Sequence, residues 1–368
     1  MTSGHRSSLA VAAFAAAAFC VLGICVLGLG IAGCAPPQSG RSANVFSGPA
    51  MGTSYSVKVV SSSPLSREQQ GEIRQTISAE LDRINARMST YLADSEISRF
   101  NAHGAETPFA VSAETGEVVA AALAVGQATG GAFDITIAPL VDAWGFGPTL
   151  ETPPELPQKR IDEILVEIGI DKVSVGEDRR TLTKHHEDVS IDLSGIAKGY
   201  AVDRLAEALI EQGFTDLLVD IGGEVRAAGR NADGEPWRLG IERPQDAMPM
   251  RGQIQLVVPL EDLAMATSGD YRNYREVDGV RFSHLLDPRI GRPIRHRLSS
   301  VSVVHPQCMV ADAWATALIV LGPEEGLKLA AERGLAAYFL IRDDQGGFVQ
   351  ESTQEFDRLR GVLSPETN

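Results

Sequence analysis

The sequence is poor in cysteine and in basic residues, and each shortage excludes a class of protein. Only 4 of the 368 residues are cysteine, and beyond Cys34 the next is Cys308, so a disulfide framework is excluded and a buried structural thiol is expected. The 33 basic residues face 48 acidic ones, for a formal net charge of −15. No dense run of Lys and Arg offers a surface to phosphate backbones, which excludes nucleic acid as a partner.

Long hydrophobic runs are also scarce, and the single one stands near the N-terminus. Residues 9–33 contain no charge and no polar side chain other than two cysteines, which is typical of an export signal or a membrane helix. The run ends in Ile31-Ala32-Gly33-Cys34, which resembles a bacterial lipobox, a signal cleaved before the cysteine that then carries the lipid. An uncleaved N-terminal anchor is the alternative. The G-x-G-x-x-G pattern at residues 28–33 lies inside this run and is a chance match.

These features predict the organisation of the chain. We expect a lipoprotein signal peptide at 1–33, a lipidated Cys34, a tether over 34–47 and a catalytic domain over 48–362. The protein would be exported and lipid-anchored on the outer face of the cell membrane. The body has ordinary globular composition, with 44% hydrophobic and 22% charged residues, and it is long enough to bury a large core.

Periodicity within the body predicts helices and strands in irregular order. Helices are expected to begin at Ser66, where Gln69 completes a capping box, and at Ser112, Lys198, Met309 and Pro323. Strand-like runs are predicted at residues 54–60, 216–225, 238–242, 253–258, 298–305 and 336–341. Because strict β-α-β alternation is missing, the fold class is predicted as α+β, or mixed α/β, with largely antiparallel pairing. Residues 145–158, rich in Pro and Gly, are expected to form a surface excursion.

Several polar residues stand where chemistry could occur, and each also has a structural explanation. Asp312 and Thr316 lie one helical turn apart on an otherwise apolar helix, a pair of oxygens that would suit Mg²⁺, although a buried salt bridge would also satisfy Asp312. Asp192 could cap a helix. His284, between apolar neighbours, could be a core histidine. Gly130-Gly131 could end a helix as a C-cap.

Six blocks of the sequence, taken together, resemble the ApbE family of FAD:protein FMN transferases. They are GGAFDIT (130–136), DLSGIAKGYAVD (192–203), DIGGE (220–224), TSGDYRNY (267–274), SHLLDPRIGRP (283–293) and ADAWATAL (311–318). The resemblance begins at Met51-Gly52-Thr53. It implies two lobes with largely antiparallel sheets and the FAD and Mg²⁺ site between them. It also implies Mg²⁺-dependent transfer of FMN from FAD to a threonine hydroxyl of an acceptor protein, with release of AMP.

The resemblance implies roles for individual residues. Residues matching FAD-binding positions are Met51, Tyr91, Ala132, Phe133, Asp134, Asp192, Lys198 and Leu286. Residues matching the Mg²⁺ positions are Gly195, through its carbonyl, Asp312 and Thr316. His284 matches a histidine near the reacting phosphate and is the candidate general base, because the ordinary pKa of histidine lies near neutrality. Asp287 is a weaker candidate for that role.

The resemblance also implies an acceptor. Acceptor proteins carry a motif of the form Asp-x-x-(Ser/Thr)-Gly-Ala-Thr, and residues 192–197 lack both its spacing and its final threonine. The acceptor is therefore expected to be another protein, such as a membrane redox subunit. Two alternatives remain at this point: an FAD pyrophosphatase that gives FMN and AMP, and a non-enzymatic flavin-binding lipoprotein.

Overall fold

The computed structural model describes residues 40–147, 156–244, 254–270, 274–277 and 280–361, with side chains for all of these except 274–277 and 280–282. The predicted signal peptide, Cys34 and the middle of the predicted surface excursion lie outside the described residues. The described residues all belong to one unit, residues 39–368. None of their helices has the length and apolar character needed to cross a bilayer.

The helices follow the spacing of apolar residues. Those described are α1 Arg67–Met88, α2 Glu96–Asn101, α3 Ala113–Ala128, α4 Ala138–Ala143, α5 Gln158–Leu165, α6 Ala197–Glu211, α7 Cys308–Leu321, α8 Pro323–Glu332 and α9 Gln354–Leu359. The predicted capping box of α1 is confirmed: Gln69 N donates to Ser66 Oγ at 3.1 Å, and Ser66 N donates to Gln69 Oε1 at 2.9 Å. Beyond α3, Gly130 and Gly131 adopt φ of +59° and +84°, so the C-cap interpretation of that pair is correct.

The strands pair antiparallel throughout the described chain. They are β1 Ser42–Ala50, β2 Thr53–Ser61, β3 Phe109–Ala110, β4 Val173–Val175, β5 Thr181–Lys184, β6 Leu217–Ile221, β7 Glu224–Ala228, β8 Trp237–Glu242, β9 Ile254–Leu260, β10 Ala264–Gly269, β11 Tyr274–Val277, β12 Val280–Ser283, β13 Leu286–Asp287, β14 Arg292–Pro293, β15 Leu298–His305, β16 Ala336–Arg342 and β17 Phe348–Ser352. The main sheet has eight strands in the order β1-β2-β6-β7-β10-β15-β16-β17. The predicted α+β class with largely antiparallel pairing is confirmed.

Two stretches differ from the sequence prediction. Residues 42–47, predicted as part of the tether, form the first half of β1, because their alternating burial lets Phe46 pack into the core beside β2. The strand predicted over 216–225 is wrong: it is a hairpin of β6 and β7, turned by Gly222 and Gly223 at φ of +68° and +104°. Only glycine adopts such angles at low cost, so this pair ends one strand and starts the next.

The main sheet is covered on both faces, and this positions the site. On one face α6 and α7 pack against the central strands, with α1 and α3 outside them, and they enclose the largest apolar cluster. On the other face the β8–β9 hairpin and α9 enclose a second cluster around Trp237 and Phe356. A third, smaller cluster joins α4 and α5 to Leu286. Helix α7 is buried almost all round, which explains its apolar sequence.

Candidate functional site

A cavity of about 300 Å³ lies where the β6–β7 turn, the end of β10 and the start of α6 meet. Almost every residue that the sequence analysis assigned to the site lines this cavity. These are Ala132, Phe133, Asp134, Asp192, Gly195, Lys198, His284, Leu286, Asp312 and Thr316. These residues come from distant parts of the chain, and the fold brings them together around one cavity.

Met51 and Tyr91 do not line the cavity. Met51 occupies the two-residue turn between β1 and β2 at φ +47° and is half-buried against the main core. Tyr91 follows α1 and is 68% exposed, with its hydroxyl 3.4 Å from the carbonyl oxygen of Phe146. The Phe146 ring in turn meets His284 edge-on, with 6.5 Å between ring centroids. Tyr91 therefore lies near His284 through Phe146.

Asp134 and Asp192 are fixed by local hydrogen bonds. Asp134 Oδ1 accepts from Thr136 N at 2.8 Å and from Thr136 Oγ1 at 2.6 Å, and burial raises the pKa of Asp134 despite these bonds. Asp192 Oδ1 accepts from Ser194 N at 2.7 Å. Asp192 is not the N-cap of α6, because that helix begins at Ala197. Its own amide instead donates to the carbonyl of Ile135 at 2.7 Å, joining the two segments.

Asp142, which the sequence analysis missed, adds negative charge near Tyr91 and Asp192. Burial raises the pKa of Tyr91, and the charges of Asp192 and Asp142 raise it further. Burial and the charge of Asp192 likewise raise the pKa of Asp142. Burial and these two charges all disfavour the ionised phenolate of Tyr91. Nothing in the sequence distinguished Asp142 from any other acidic residue on a short helix.

The strongest electrostatic feature of the cavity is a lysine between two carboxylates. Lys198 Nζ lies 3.0 Å from Glu224 Oε1 and 3.7 Å from Asp312 Oδ1. Burial lowers the pKa of Lys198, but the Asp312 and Glu224 carboxylates outweigh it and raise that pKa above its ordinary value. Burial raises the pKa of Asp312 to about 7, although Lys198 acts to lower it. Asp312 therefore forms a salt bridge with Lys198, the alternative to a metal that the sequence analysis gave for this carboxylate. It also lines the cavity.

The three residues matching the Mg²⁺ positions lie close together. Asp312 and Thr316 share one face of α7, and Thr316 Oγ1 lies 3.1 Å from Ser268 Oγ. A Cβ on Gly195 would lie 3.6 Å from Thr316 Oγ1 and 3.1 Å from the Phe133 ring, so the backbone of Gly195 is in contact range of α7. Within the described ranges, no group of three or more His, Cys, Asp or Glu could hold a metal.

These residues fit Mg²⁺ by the chemistry of their oxygens. A carboxylate, a hydroxyl and a backbone carbonyl are hard donors, and Mg²⁺ commonly takes one or two carboxylates and completes its shell with water and substrate phosphate. Asp312 Oδ2 accepts from Gly199 N at 3.0 Å, whereas Oδ1 has only the longer contact to Lys198 among the described residues. Oδ1 is thus the oxygen that a cation would meet.

His284 and Asp287 differ in their surroundings. His284 is half-buried and lines the cavity, so it is not enclosed in the core. The Asp287 carboxylate accepts from Arg289 N, Nε and Nη2, each at 2.9 Å. Asp287 is therefore committed to a salt bridge, which leaves His284 as the better candidate for a base.

Comparison with known proteins identifies the family. The ApbE family model matches residues 51–339. The FAD:protein FMN transferase of Haemophilus influenzae is 40% identical over 317 residues, covering 85% of this chain and 90% of that protein. The flavin transferase ApbE of Vibrio cholerae is 38% identical with a TM-score of 0.78, covering 86% of this chain and 99% of that one. The apo flavinyl transferase ApbE of Pseudomonas stutzeri is 39% identical with a TM-score of 0.78, covering 88% and 98%.

The fold and the site thus define a member of a flavin-transferase class. The chain belongs to the ApbE family, which confirms the resemblance drawn from its sequence blocks.

Proposed function

We propose that this protein is an FAD:protein FMN transferase that uses Mg²⁺ and delivers FMN to a threonine hydroxyl of an acceptor protein. The observation that carries the proposal is the cavity itself, in which a half-buried lysine, a buried carboxylate and a hydroxyl meet at one end of the main sheet. In the reaction, the threonine oxygen forms a bond to the phosphorus of the FMN half. The bond from that phosphorus to the AMP oxygen breaks, and AMP leaves.

The residues around the cavity hold the substrate in place for that step. Lys198 offers a positive charge to the diphosphate, and Asp134 and Asp192 offer acceptor oxygens to the donor groups of the dinucleotide. Residues proposed to line the FAD site are Met51, Tyr91, Ala132, Phe133 and Leu286. Holding the diphosphate beside the entering hydroxyl would account for much of the rate enhancement, because catalysis of phosphoryl transfer depends mainly on positioning and charge neutralisation.

Asp312, Thr316 and the Gly195 carbonyl are proposed to hold Mg²⁺. When bound, the metal would neutralise charge on the phosphate oxygens. His284 is proposed to accept the proton of the threonine hydroxyl. It lines the cavity, and its ring meets that of Phe146 on the side where Tyr91 lies.

Transfer can be tested by incubating the protein with FAD, Mg²⁺ and an acceptor domain bearing an Asp-x-x-(Ser/Thr)-Gly-Ala-Thr motif. Flavin fluorescence in a denaturing gel should appear on the acceptor, with one AMP released for each flavin attached. A threonine-to-valine acceptor is the control and should remain unlabelled. AMP release without labelling would identify an FAD pyrophosphatase instead, and neither product would identify a flavin-binding protein.

Lys198→Met is expected to weaken FAD binding. The substitution keeps the length of the apolar stem and removes the charge proposed to face the diphosphate. FAD affinity should fall, and it should also become less sensitive to salt, because the screened contact is gone. Fluorescence titration of FAD at two ionic strengths measures both effects. An affinity and a salt dependence equal to those of the wild type would place the diphosphate elsewhere.

We propose that the protein is a lipoprotein anchored through Cys34, on the sequence grounds given above. Cys34→Ser is expected to prevent lipid attachment and normal cleavage, so the protein should be found uncleaved or released from the membrane. Cell fractionation and the mass of the N-terminal peptide measure this outcome. A mature, membrane-anchored protein of unchanged mass would contradict the proposal.

A further inference from the structure

Glu224 was not assigned a role by the sequence analysis, although the structure places it beside Lys198. It is the first residue of β7, directly after the Gly222-Gly223 turn, and only 4% of it is exposed. Its Oε1 is the nearer of the two carboxylate contacts of Lys198, at 3.0 Å against 3.7 Å for Asp312. The ammonium group is therefore held on the Glu224 side, beyond hydrogen-bond distance of Asp312.

The unequal distances from Lys198 to the two carboxylates affect whether Asp312 can bind a cation. An ammonium bonded directly to Asp312 Oδ1 would occupy the place of an incoming cation and repel it. Because Asp312 Oδ2 already accepts from Gly199 N, Oδ1 is the oxygen for which the ammonium and a cation would compete. With Lys198 drawn toward Glu224, that oxygen is left for the cavity.

Only one carboxylate oxygen of Glu224 is engaged by the described residues. Its Oε2 is buried and has no hydrogen-bond partner among the described residues. A Cβ on Gly222 would lie 3.4 Å from this oxygen, so the glycine turn packs directly against it. A buried carboxylate is costly unless its charge is paired, and the contact with Lys198 supplies the opposite charge for Glu224.

We propose that Glu224 is a positioning residue that holds Lys198 away from Asp312 and so keeps the Asp312 carboxylate available to Mg²⁺. The inference rests on the metal site of the proposed function. With both carboxylates ionised, the two carboxylates and one ammonium carry an excess negative charge that favours a divalent cation. Without the Glu224 charge, Lys198 and Asp312 would form a balanced pair, and the cation would compete with the lysine.

The test is calorimetric titration of Mg²⁺ alone into the whole protein, without FAD. Glu224→Gln is expected to raise the Mg²⁺ dissociation constant about 10-fold, the lower end of the scale for partners of metal ligands, because Glu224 acts on Asp312 through Lys198. Glu207→Gln is the matched control. Glu207 lies on α6 and pairs with Arg226 of β7, and neither residue lines the cavity, so this variant should keep wild-type Mg²⁺ affinity.

The same Glu224 substitution made in a Lys198→Met protein distinguishes a positioning role of Glu224 from direct binding of the metal by Glu224. In Lys198→Met the competing ammonium is absent, so adding Glu224→Gln should change Mg²⁺ affinity much less than it does in the wild type. Equal effects in the two backgrounds would mean that Glu224 acts on the metal directly and would overturn the proposal. Unchanged Mg²⁺ affinity in Glu224→Gln alone would also overturn it.

Folding and the metal site itself are checked separately. Circular dichroism and the melting temperature show whether each variant is folded, and Glu224→Asp, which keeps the charge on a shorter stem, should recover part of the affinity. If the wild type bound no Mg²⁺, the metal assignment would fail and this inference with it. The flavin-transfer assay, read on its own, would still decide the proposed transferase activity.

Discussion

Asp312→Asn is expected to abolish Mg²⁺-dependent flavin transfer. Asparagine keeps the shape of the side chain and an oxygen that can accept from Gly199 N, but it lacks the charge proposed to hold the metal. Metal catalysis of this kind contributes several kcal/mol, so transfer should fall by at least about 10²-fold. The rate of acceptor labelling, measured across a range of Mg²⁺ concentrations, reports both the loss and its metal dependence.

The neighbouring hydroxyl supplies the matched pair of controls. Thr316→Ser keeps the oxygen and should retain Mg²⁺-dependent transfer, whereas Thr316→Val keeps the shape without the oxygen and should need more Mg²⁺. Excess Mg²⁺ should restore Asp312→Asn only in part. Full wild-type transfer by Asp312→Asn at ordinary Mg²⁺ would refute the assignment of this carboxylate.

His284→Ala is expected to slow transfer by about 10²-fold or more while FAD and Mg²⁺ still bind, since a general base contributes on that scale. The reason is that the imidazole is proposed to take the proton of the acceptor threonine and to leave the substrate contacts to other residues. Single-turnover labelling of the acceptor gives the rate, and fluorescence titration gives FAD affinity.

His186→Ala is the control for loss of a histidine, because His186 lies in the turn after β5 and away from the cavity. It should transfer flavin at the wild-type rate. If His284→Ala did so as well, positioning and charge neutralisation would have to account for the reaction without a base. If His284→Ala lost FAD binding instead, the histidine would be a substrate contact.

Local signals in the sequence predicted five of the nine described helices, α1, α3, α6, α7 and α8, and fewer than half of the described strands. The capping box at Ser66 placed the start of α1, and the runs at 298–305 and 336–341 matched β15 and β16 to within a residue. The predicted start of α7 at Met309 was one residue late. These elements are long, strongly apolar or capped, so their neighbours in sequence determine them.

The failures have a different physical origin. The Gly222-Gly223 pair lies inside the run predicted as one strand, although two consecutive glycines are themselves typical of a hairpin turn, and their φ angles show that turn. Residues 42–47 are too polar to predict a strand, yet β2 provides a partner for their backbone. Tertiary pairing of this kind has no local signature.

The candidate site shows the same division. Asp312 and Thr316 could be selected because a carboxylate on an apolar helix needs a partner. Glu224 could not, because its importance lies in the 3.0 Å contact with Lys198 across the α6–β7 junction. Asp287 looked available from its sequence position, and only the structure shows it bound to Arg289.

The bond between Gly199 N and Asp312 Oδ2 joins residues 113 positions apart. Helix α6 and helix α7 touch so closely there that a Cβ on Gly199 would lie 2.4 Å from the carbonyl oxygen of Cys308. Closing a loop of that length costs entropy that is recovered only when the surrounding core has condensed. The wall of the cavity that Lys198 and Asp312 share is therefore complete only when α7 has docked against α6.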